Sequence, residues 1–243
     1  MRVLVGRLMT FDQAEFDIRC EWGLQGVMTL APISDVVIIV DVFSFTTCVE
    51  IATNQGAHIY PYRGDDATSF AQSVGAELAA KWGGTGYSLS PHSLVSLPPG
   101  LRLVLPSPNG STLSMSTGQT PTIAGCLRNF GAVAAAAMRY GNRIAVIPAG
   151  ERWRDDGSLR PAYEDWLGAG AIISQLNGQL SMEARAARAA FLDAQAELGP
   201  LLRACGSAKE HSEQGLAENV VLAEALNVSD CAPLLVDGAY RWR

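Results

Sequence analysis

The chain has few of the residues that build disulfide frameworks, zinc sites or histidine clusters. Its five cysteines are odd in number, widely scattered and contain no Cys-x-x-Cys pair, so neither a disulfide framework nor a zinc site is indicated. Its three histidines, His58, His92 and His211, lie far apart in the sequence. The cysteines are therefore interpreted as buried free thiols.

Long hydrophobic runs and positive charge are also scarce. No apolar run approaches the roughly 20 residues that cross a bilayer, and residues 1–10 are too short and interrupted for a secretory signal. We therefore expect a cytoplasmic protein with no membrane partner. The net charge of −6 and the pI near 5.1 argue against nucleic acid, which needs a basic surface. An anionic ligand must then be bound by local arginines and backbone amides.

The composition indicates a globular chain with a large core. Of its 243 residues 48% are hydrophobic and 17% charged, and a chain of this size buries roughly 70 to 75% of its unfolded surface. There is no repeat, low-complexity tract or composition break. We expect a single domain over residues 1–243, with two interlocked lobes divided near 115–145 as the alternative. The low charge and alanine-rich helices would allow a homodimer.

Short apolar segments that alternate with helical patterns predict an α/β fold. Val36–Val40 is a run of five apolar residues, typical of a strand covered on both faces. Strands are also predicted at 3–5, 58–62, 101–105, 122–126, 144–148 and 233–237, and helices at 47–56, 68–81, 130–140, 163–176, 181–205 and 206–226. This order favours a three-layer α/β/α fold with a largely parallel or mixed sheet. Strands 36–40 and 58–62, joined by a helix, are expected to pair in parallel through a right-handed crossover.

Four of these strands end in polar loops. The loops begin at Asp41, at Asn109-Gly110-Ser111, at Arg128-Asn129 and at Glu151-Arg152. Open α/β sheets bind ligands at the carboxyl ends of their strands, so the four loops predict a shared cleft. In the second loop the Asn-Gly step permits positive φ, and its amides would form an anion-binding nest. An ordinary turn is the alternative.

Glu164 and Asp165 are adjacent acids in the first turn of the helix predicted at 163–176. One interpretation is that they complement the helix dipole, which favours negative charge there by about 0.3 to 1 kcal/mol. The other is a site for a hard cation. Because adjacent helix positions point about 100° apart, one carboxylate would bind the metal and the other would hold a water molecule or a neighbouring group.

Several common chemistries lack their motifs. There is no Gly-x-x-x-x-Gly-Lys of a P-loop, and Gly168-Ala169-Gly170 lies in a predicted helix with no strand before it, unlike a dinucleotide fingerprint. A haloacid dehalogenase would have a second acid two residues after Asp41, where this chain has Phe43. A serine or cysteine hydrolase stays open, because triads are assembled in space.

An ordered set of motifs resembles the 2-phosphosulfolactate phosphatase (ComB-like) family. The set runs from about position 35 to the C-terminus and consists of Asp41-Val42-x-x-x-Thr46-Thr47, Arg63-Gly64, Ser90-Pro91, Pro108-Asn109-Gly110-Ser111, Gly125-Cys126-Leu127-Arg128-Asn129, Ala149-Gly150-Glu151-Arg152 and Glu164-Asp165-x-x-Gly168-Ala169-Gly170. The resemblance implies an α/β/α fold with a magnesium-dependent acid phosphatase site. Its reaction would convert 2-phospho-3-sulfolactate to 3-sulfolactate and phosphate, in coenzyme M biosynthesis.

On this interpretation the candidate residues take definite roles. Asp41, with Glu164 or Asp165, would bind Mg²⁺; whether Asp41 is a ligand or a covalent nucleophile stays open. Glu151 would orient the attacking water or protonate the leaving oxygen. Arg152, which would bind phosphate oxygens, is the third catalytic candidate beside Asp41 and Glu151. The substrate-binding candidates are Thr46, Thr47, Asn109, Gly110, Ser111, Arg128 and Asn129.

One position departs from the family pattern. The resemblance leads us to expect Asp-Val-Leu-Arg-Ala-Thr-Thr, and this chain has Ser44 in place of the arginine. An arginine there would suit a sulfonate, a carboxylate or a phosphate. The chemistry of a phosphatase acting on a small anionic phosphomonoester is kept, and the substrate stays open. The non-enzymatic alternative is a binding protein for a small anionic metabolite.

Overall fold

A computed structural model describes residues 11–80 and 84–242. The strand predicted at 3–5 lies outside these residues. The expected α/β fold is confirmed: a mixed sheet of nine strands carries helices on both faces. The strands are β1 Ile18–Cys20, β2 Val36–Val40, β3 His58–Tyr62, β4 Glu77–Leu78, β5 Arg102–Pro106, β6 Thr122–Gly125, β7 Ile144–Pro148, β8 Glu151–Arg152, β9 Leu159–Arg160, β10 Leu234–Val236 and β11 Ala239–Arg241. The α-helices are α1 Gly23–Leu30, α2 Phe45–Asn54, α3 Ala67–Ser73, α4 Gly110–Ser114, α5 Phe130–Ala137, α6 Tyr163–Ile173, α7 Met182–Ala194, α8 Leu198–Ala204, α9 Gly206–Glu213 and α10 Ala217–Ala223.

Strand β2 shows why the fold has three layers. Its five side chains are all buried, and successive strand residues point to opposite faces. Val36, Ile38 and Val40 therefore pack with the helices α5, α6 and α7 on one face. Val37 and Ile39 pack with α1 and α4 on the other.

The sheet consists of two parallel blocks joined by an antiparallel hairpin. Its strand order is β1-β7-β2-β6-β10-β11-β3-β5-β4. Strands β1, β7, β2 and β6 are mutually parallel, as are β3, β5 and β4. The hairpin β10–β11 pairs antiparallel with β6 on one side and with β3 on the other. The second block consequently runs opposite to the first along the sheet.

The predicted parallel pairing of β2 with β3 is therefore wrong. The two strands are not neighbours, and three antiparallel steps separate their directions. Strand β2 is flanked by β7 and β6 instead, and the C-terminal hairpin lies between β6 and β3. Strand β11, which completes this hairpin, follows the Asp237-Gly238 turn, where both residues have positive φ.

Three predicted helices are clearly shortened or divided in the structure, and one of them is the helix expected at 206–226, which divides into α9 and α10. The helix expected at 68–81 ends at Ser73, because Gly75 has a φ of 59° and the edge strand β4 follows. The helix expected at 181–205 divides into α7 and α8 with a 3₁₀ turn at Gln195–Glu197 between them. Pro200 lacks the amide hydrogen that would continue the α-helical pattern. None of the helices in the described ranges combines the length and apolar character that a bilayer crossing needs.

Candidate active site

Asp41 lies directly after β2 and its carboxylate is held by backbone amides. Oδ1 accepts a hydrogen bond from the Phe45 amide at 3.1 Å, and Oδ2 accepts one from the Gly110 amide at 2.8 Å. The side chain is almost fully buried, with 5% of the residue exposed. Position 110 needs glycine because a Cβ there would overlap the Phe45 ring. The start of α4 therefore approaches Asp41 closely enough to fix its orientation.

Thr46 and Thr47 support the loop that carries Asp41. Thr46 Oγ1 accepts from the Asp41 amide at 3.0 Å and donates to the Asp41 carbonyl at 2.8 Å. Thr47 Oγ1 donates to the Val42 carbonyl at 2.8 Å. Both threonines are fully buried. Their hydroxyls are thus used to position the backbone of the loop.

Asp165, in the first turn of α6, joins the ends of two strands. Its Oδ1 accepts from the Val42 amide at 2.7 Å, and its Oδ2 accepts from the Gly150 amide at 2.8 Å. The adjacent Glu164 is also buried, and its Oε2 accepts a hydrogen bond from the Cys205 thiol at 3.4 Å. The helix therefore contributes two buried carboxylates where β2 and β7 end.

Glu151 and Asn109 bring the remaining two loops together. Asn109 Nδ2 donates to Glu151 Oε2 at 3.0 Å. Asn109 precedes α4 and follows β5, and the Ser111 hydroxyl donates to the Leu105 carbonyl at the end of β5. Although β5 runs opposite to β2 along the sheet, the loop after β5 meets Asp41 through the Gly110 amide. Three of the four predicted strand ends converge on one site.

The site carries an excess of buried negative charge. Burial, and then the charge of Glu164, raises the pKa of Asp41 to about 6. Burial, followed by the charges of Asp41 and Glu164, raises the pKa of Glu151 to about 8, against a small opposing effect of Arg160. The same causes hold the pKa of Asp165 well above its usual range. Four carboxyl groups thus repel one another inside the protein.

Two cavities meet at Glu151. The first has a volume of about 440 Å³ and is also lined by Asp41, Ser107 and Asn109. The second, of about 510 Å³, contains Arg152, Arg154 and Arg160 in its lining. Glu151 is therefore reached from an acidic side and from an arginine-rich side.

Comparison with known proteins decides the family. The sequence profile of the 2-phosphosulpholactate phosphatase family matches residues 27–238. The chain belongs to this family. It is also 30% identical over 136 residues to the 2-phosphosulfolactate phosphatase of Methanothermobacter thermautotrophicus (strain Delta H), a match that covers 56% of this chain and 57% of that relative. The match thus spans less than two thirds of the relative's length. Membership is compatible with a metal cofactor and with a small phosphorylated substrate.

Whether this site can hold a metal ion depends on the carboxylates that are present. Within residues 11–80 and 84–242, no group of three or more His, Cys, Asp or Glu side chains is arranged to hold a metal ion. Both Asp165 oxygens already accept backbone amides. However, Mg²⁺ commonly binds through one or two carboxylates and keeps several waters. Asp41 and Glu164, buried without a compensating cation in the described contacts, fit such a site.

Arg128 and Asn129 lie at the fourth strand end, where they serve the fold. Arg128 Nε pairs with the fully buried carboxylate of Glu50 at 2.5 Å, and its Nη1 donates to the Leu222 carbonyl at 2.9 Å. Asn129 Nδ2 donates to the Cys231 carbonyl at 2.9 Å, and its Oδ1 accepts from the Cys126 amide at 2.9 Å. None of these contacts joins the carboxylate cluster, so they give no support to the predicted binding of substrate by the two residues.

Arg152 and Arg160 occupy the second cavity. Arg152 is exposed and its Nη1 donates to the Gly157 carbonyl at 3.2 Å. Arg160 was missed by the sequence analysis. In the hairpin β8–β9 it stands opposite Glu151, and its Nη2 donates to Ser207 Oγ at 3.1 Å. Its guanidinium also lies 5.8 Å from the centroid of a Trp153 ring. Arg160 lies close to Glu151 only because β8 pairs with β9.

Proposed function

We propose that this protein is a Mg²⁺-dependent phosphatase that hydrolyses a small anionic phosphomonoester. The family name points to 2-phospho-3-sulfolactate as the substrate, with 3-sulfolactate and phosphate as the products. The observation that carries the proposal is the meeting of Asp41, Glu151, Glu164 and Asp165 at converging loops, with too little positive charge beside them. A divalent cation would offset the negative charge of these carboxyl groups and of a bound phosphate group.

Asp41 and Glu164 are the residues that would hold the metal. Asp41 is oriented by two amides, which leaves lone pairs on both of its oxygens. Asp165 uses its oxygens to fasten the loops after β2 and β7, so we assign it the positioning role that one of the two adjacent acids was expected to have. When bound, Mg²⁺ would supply Lewis-acid neutralisation of the phosphoryl oxygens and lower the pKa of a bound water.

Glu151 is the proposed general acid. With a pKa near 8 the carboxyl keeps its proton at neutral pH, as a group that protonates a leaving oxygen must. Its Oε2 accepts from Asn109, so the proton to be transferred is carried by Oε1. Asn109 thereby holds the acid in one orientation. Glu151 lies in β8 and Asn109 lies in the loop after β5. The site is therefore formed only where loops 42–46, 107–110 and 149–152 meet.

The side chains that could donate hydrogen bonds to the phosphate lie mainly in the second cavity. The Gly110 amide already donates to Asp41, so it orients the carboxylate. Arg152 and Arg160 line the cavity that continues past Glu151, and a guanidinium can bind two phosphate oxygens at once. We propose that they bind the phosphoryl group during the reaction. Arg160 stands opposite Glu151 in the β8–β9 hairpin and is held by Ser207.

The serine or cysteine hydrolase receives no support from the same residues. Ser111 is fully buried and its hydroxyl donates to a carbonyl. Cys126 is also fully buried, and burial raises the pKa of its thiol to about 12, whereas a reactive cysteine needs an accessible thiolate. None of the five cysteines, all of which lie in the described residues, forms a disulfide bond, which supports the proposal of a reducing, cytoplasmic location. The expected homodimer remains a prediction.

Release of phosphate from 2-phospho-3-sulfolactate, with and without Mg²⁺, tests the proposal. We expect turnover with Mg²⁺ and its loss with a chelator, and restoration when Mg²⁺ is returned. Ligand-induced thermal stabilisation that is unaffected by the chelator and has no turnover would instead identify a binding protein. Phosphate release that needs no divalent cation would contradict the assigned roles of Asp41 and Glu164.

A further inference from the structure

Three basic side chains lie side by side on the strands β11, β3 and β5. His58 is aligned with Arg102 in the parallel pairing of β3 with β5. Tyr240 is aligned with Ile59 in the antiparallel pairing of β11 with β3. One step further along both strands, Arg241 therefore stands opposite His58. Because residues aligned across neighbouring strands point to the same face of a sheet, the three side chains form a row, which we call the basic row.

The described residues neutralise little of the positive charge of the basic row. His58 and Arg102 form no ion pair within residues 11–80 and 84–242. Arg241 has Asp237 at 4.0 Å, and 82% of the Asp237 side chain is exposed. The Arg102 guanidinium lies 5.2 Å from the centroid of the Tyr60 ring, so it is directed over β3. The row is therefore a positive patch on a chain whose net charge is −6.

Two buried nitrogen atoms of the basic row have no hydrogen-bond partner among the described residues. They are Nδ1 of His58 and Nε of Arg241. Nε of arginine always carries a hydrogen, and a buried donor without an acceptor is costly. Burial, and then the charges of Arg241 and Arg102, lowers the pKa of His58. A negatively charged acceptor would satisfy the Arg241 donor and offset the repulsion among the three side chains.

We infer that the basic row binds a small tetrahedral oxyanion such as phosphate or sulfate. The donors come from three neighbouring strands about 4.8 Å apart, which suits an anion whose oxygens point in several directions. A guanidinium can donate to two such oxygens at once. A protonated His58 adds a further donor. The bound anion would tie the C-terminal hairpin to β3 and β5.

This anion site is separate from the candidate active site. Arg102 begins β5, whereas the loop that meets Asp41 follows Pro106 at the other end of the same strand. At the usual rise of a strand the two ends of β5 are roughly 13 Å apart. The inference goes beyond the proposed phosphatase function and does not depend on it.

The three histidines allow the inference to be tested on the wild-type chain by NMR of their imidazole rings. His58 reports on the basic row, His211 lines the second cavity, and His92 is an exposed reference beside Glu218. The probe is sulfate, which keeps its double charge over the pH range of the titration. A chelator removes divalent cations, and sodium chloride keeps the ionic strength constant. The His58→Gln spectrum assigns the His58 signals.

We expect sulfate to shift the His58 signals until they saturate and to raise the pKa of His58, because a bound anion stabilises the imidazolium. The His92 signals should stay in place. A response of His211 alone would overturn the inference, since sulfate would then bind only beside the active site. An equal effect of sodium chloride on His58 would also overturn it, because general screening of the arginines would be the cause.

Arg102→Gln and Arg188→Gln are a matched pair of variants. Both arginines are exposed, and Arg188 lies on α7, which packs against β1 at the far edge of the sheet. Arg102→Gln should weaken sulfate binding, read from the His58 signals, by at least about fivefold, because a hydrogen bond to a charged group is lost. Arg188→Gln should leave the affinity within about twofold, since distant surface charges are screened. Unchanged sulfate affinity in folded Arg102→Gln would contradict the site.

Discussion

Two strand ends of the same sheet each lie beside a buried acid, and the surroundings of those acids differ. After β6, Arg128 pairs with Glu50 of α2, which is fully buried. At the β2 end, Asp41 is buried with Glu164 nearby and has no cationic side chain among the causes that set its pKa. The first acid is neutralised within the fold. The second is left for a partner from outside, and we take that difference as the mark of a functional site.

The contrast also shows how a buried charge is maintained. An ion pair with hydrogen-bonded geometry offsets the desolvation of both groups. A cluster of carboxyl groups without such a pair keeps protons instead, which is why Asp41 and Glu151 have raised pKa values. Four substitutions test this difference between the two acids.

Asp41→Asn should have the largest effect. Removing one metal-binding carboxylate should lower kcat/KM by roughly 10³-fold, because the charge stabilisation it helps to provide is worth several kcal/mol. The measurement is Mg²⁺-dependent phosphate release, with Mg²⁺ affinity determined in parallel. Asp35→Asn, at the other end of β2 and paired with Arg143, is the control and should keep full activity. Near-normal turnover by Asp41→Asn would remove this residue from the site.

Glu50→Gln should act on stability. Breaking the ion pair leaves Arg128 without its charged partner, and we expect the free energy of unfolding to fall by about 3 kcal/mol. Urea denaturation measures this, while kcat/KM of the folded variant should change less than about twofold. Glu224→Gln, which breaks the more exposed pair with Arg203, should cost less than about 1 kcal/mol. A large loss of activity in a Glu50→Gln variant that remains folded would show that Glu50 and Arg128 belong to the active site.

Glu151→Gln should lower kcat/KM by about 10²-fold, since a general acid contributes roughly 10²- to 10⁴-fold. Its pH profile is the sharper result. In the wild-type protein the proton is lost above the raised pKa of Glu151, which is about 8 before a cation binds beside it, so activity should decline as pH rises through the pKa of this group. Glutamine cannot titrate, and the decline should disappear from the variant's profile. If the decline persists in Glu151→Gln, another group is the acid.

Asn109→Ala should produce the smallest change. The hydrogen bond from Asn109 lowers the pKa of Glu151, so its loss should move the basic limb of the profile upward by less than about one unit, or about 1.4 kcal/mol. The shift is read from kcat/KM against pH. Ser116→Ala, which removes a hydroxyl that donates to the Thr112 carbonyl of α4, should leave the limb in place. A downward shift would show that Asn109 favours the protonated acid.

Much of the site was predictable because its parts are local. Val36–Val40 followed by Asp41, and Ile144–Pro148 followed by Glu151, are short sequence patterns whose meaning depends on adjacent residues alone. The acids of α6 were likewise visible from the helix start. The carboxyl-end rule for parallel strands then brought β2 and β7 together correctly.

The parts that could not be predicted depend on distant partners. Arg128 looked like a phosphate ligand until the fold brought Glu50, 78 positions away in sequence, to its guanidinium. Arg160 lies beside Glu151 only through the β8–β9 pairing. The direction of β3 is set by a hairpin at the far end of the chain. Local periodicity contains no information on any of these contacts.

Asp165 has a consequence for anyone who wishes to redesign this protein. Its carboxylate receives an amide hydrogen from each of the loops that follow the neighbouring strands β2 and β7, and of the natural side chains of its length only aspartate presents two acceptors. Asparagine would turn an N–H₂ toward an N–H and push one strand end away. Substitutions that aim at a new substrate should therefore be made at other residues around the cleft, and Asp165 should be left unchanged.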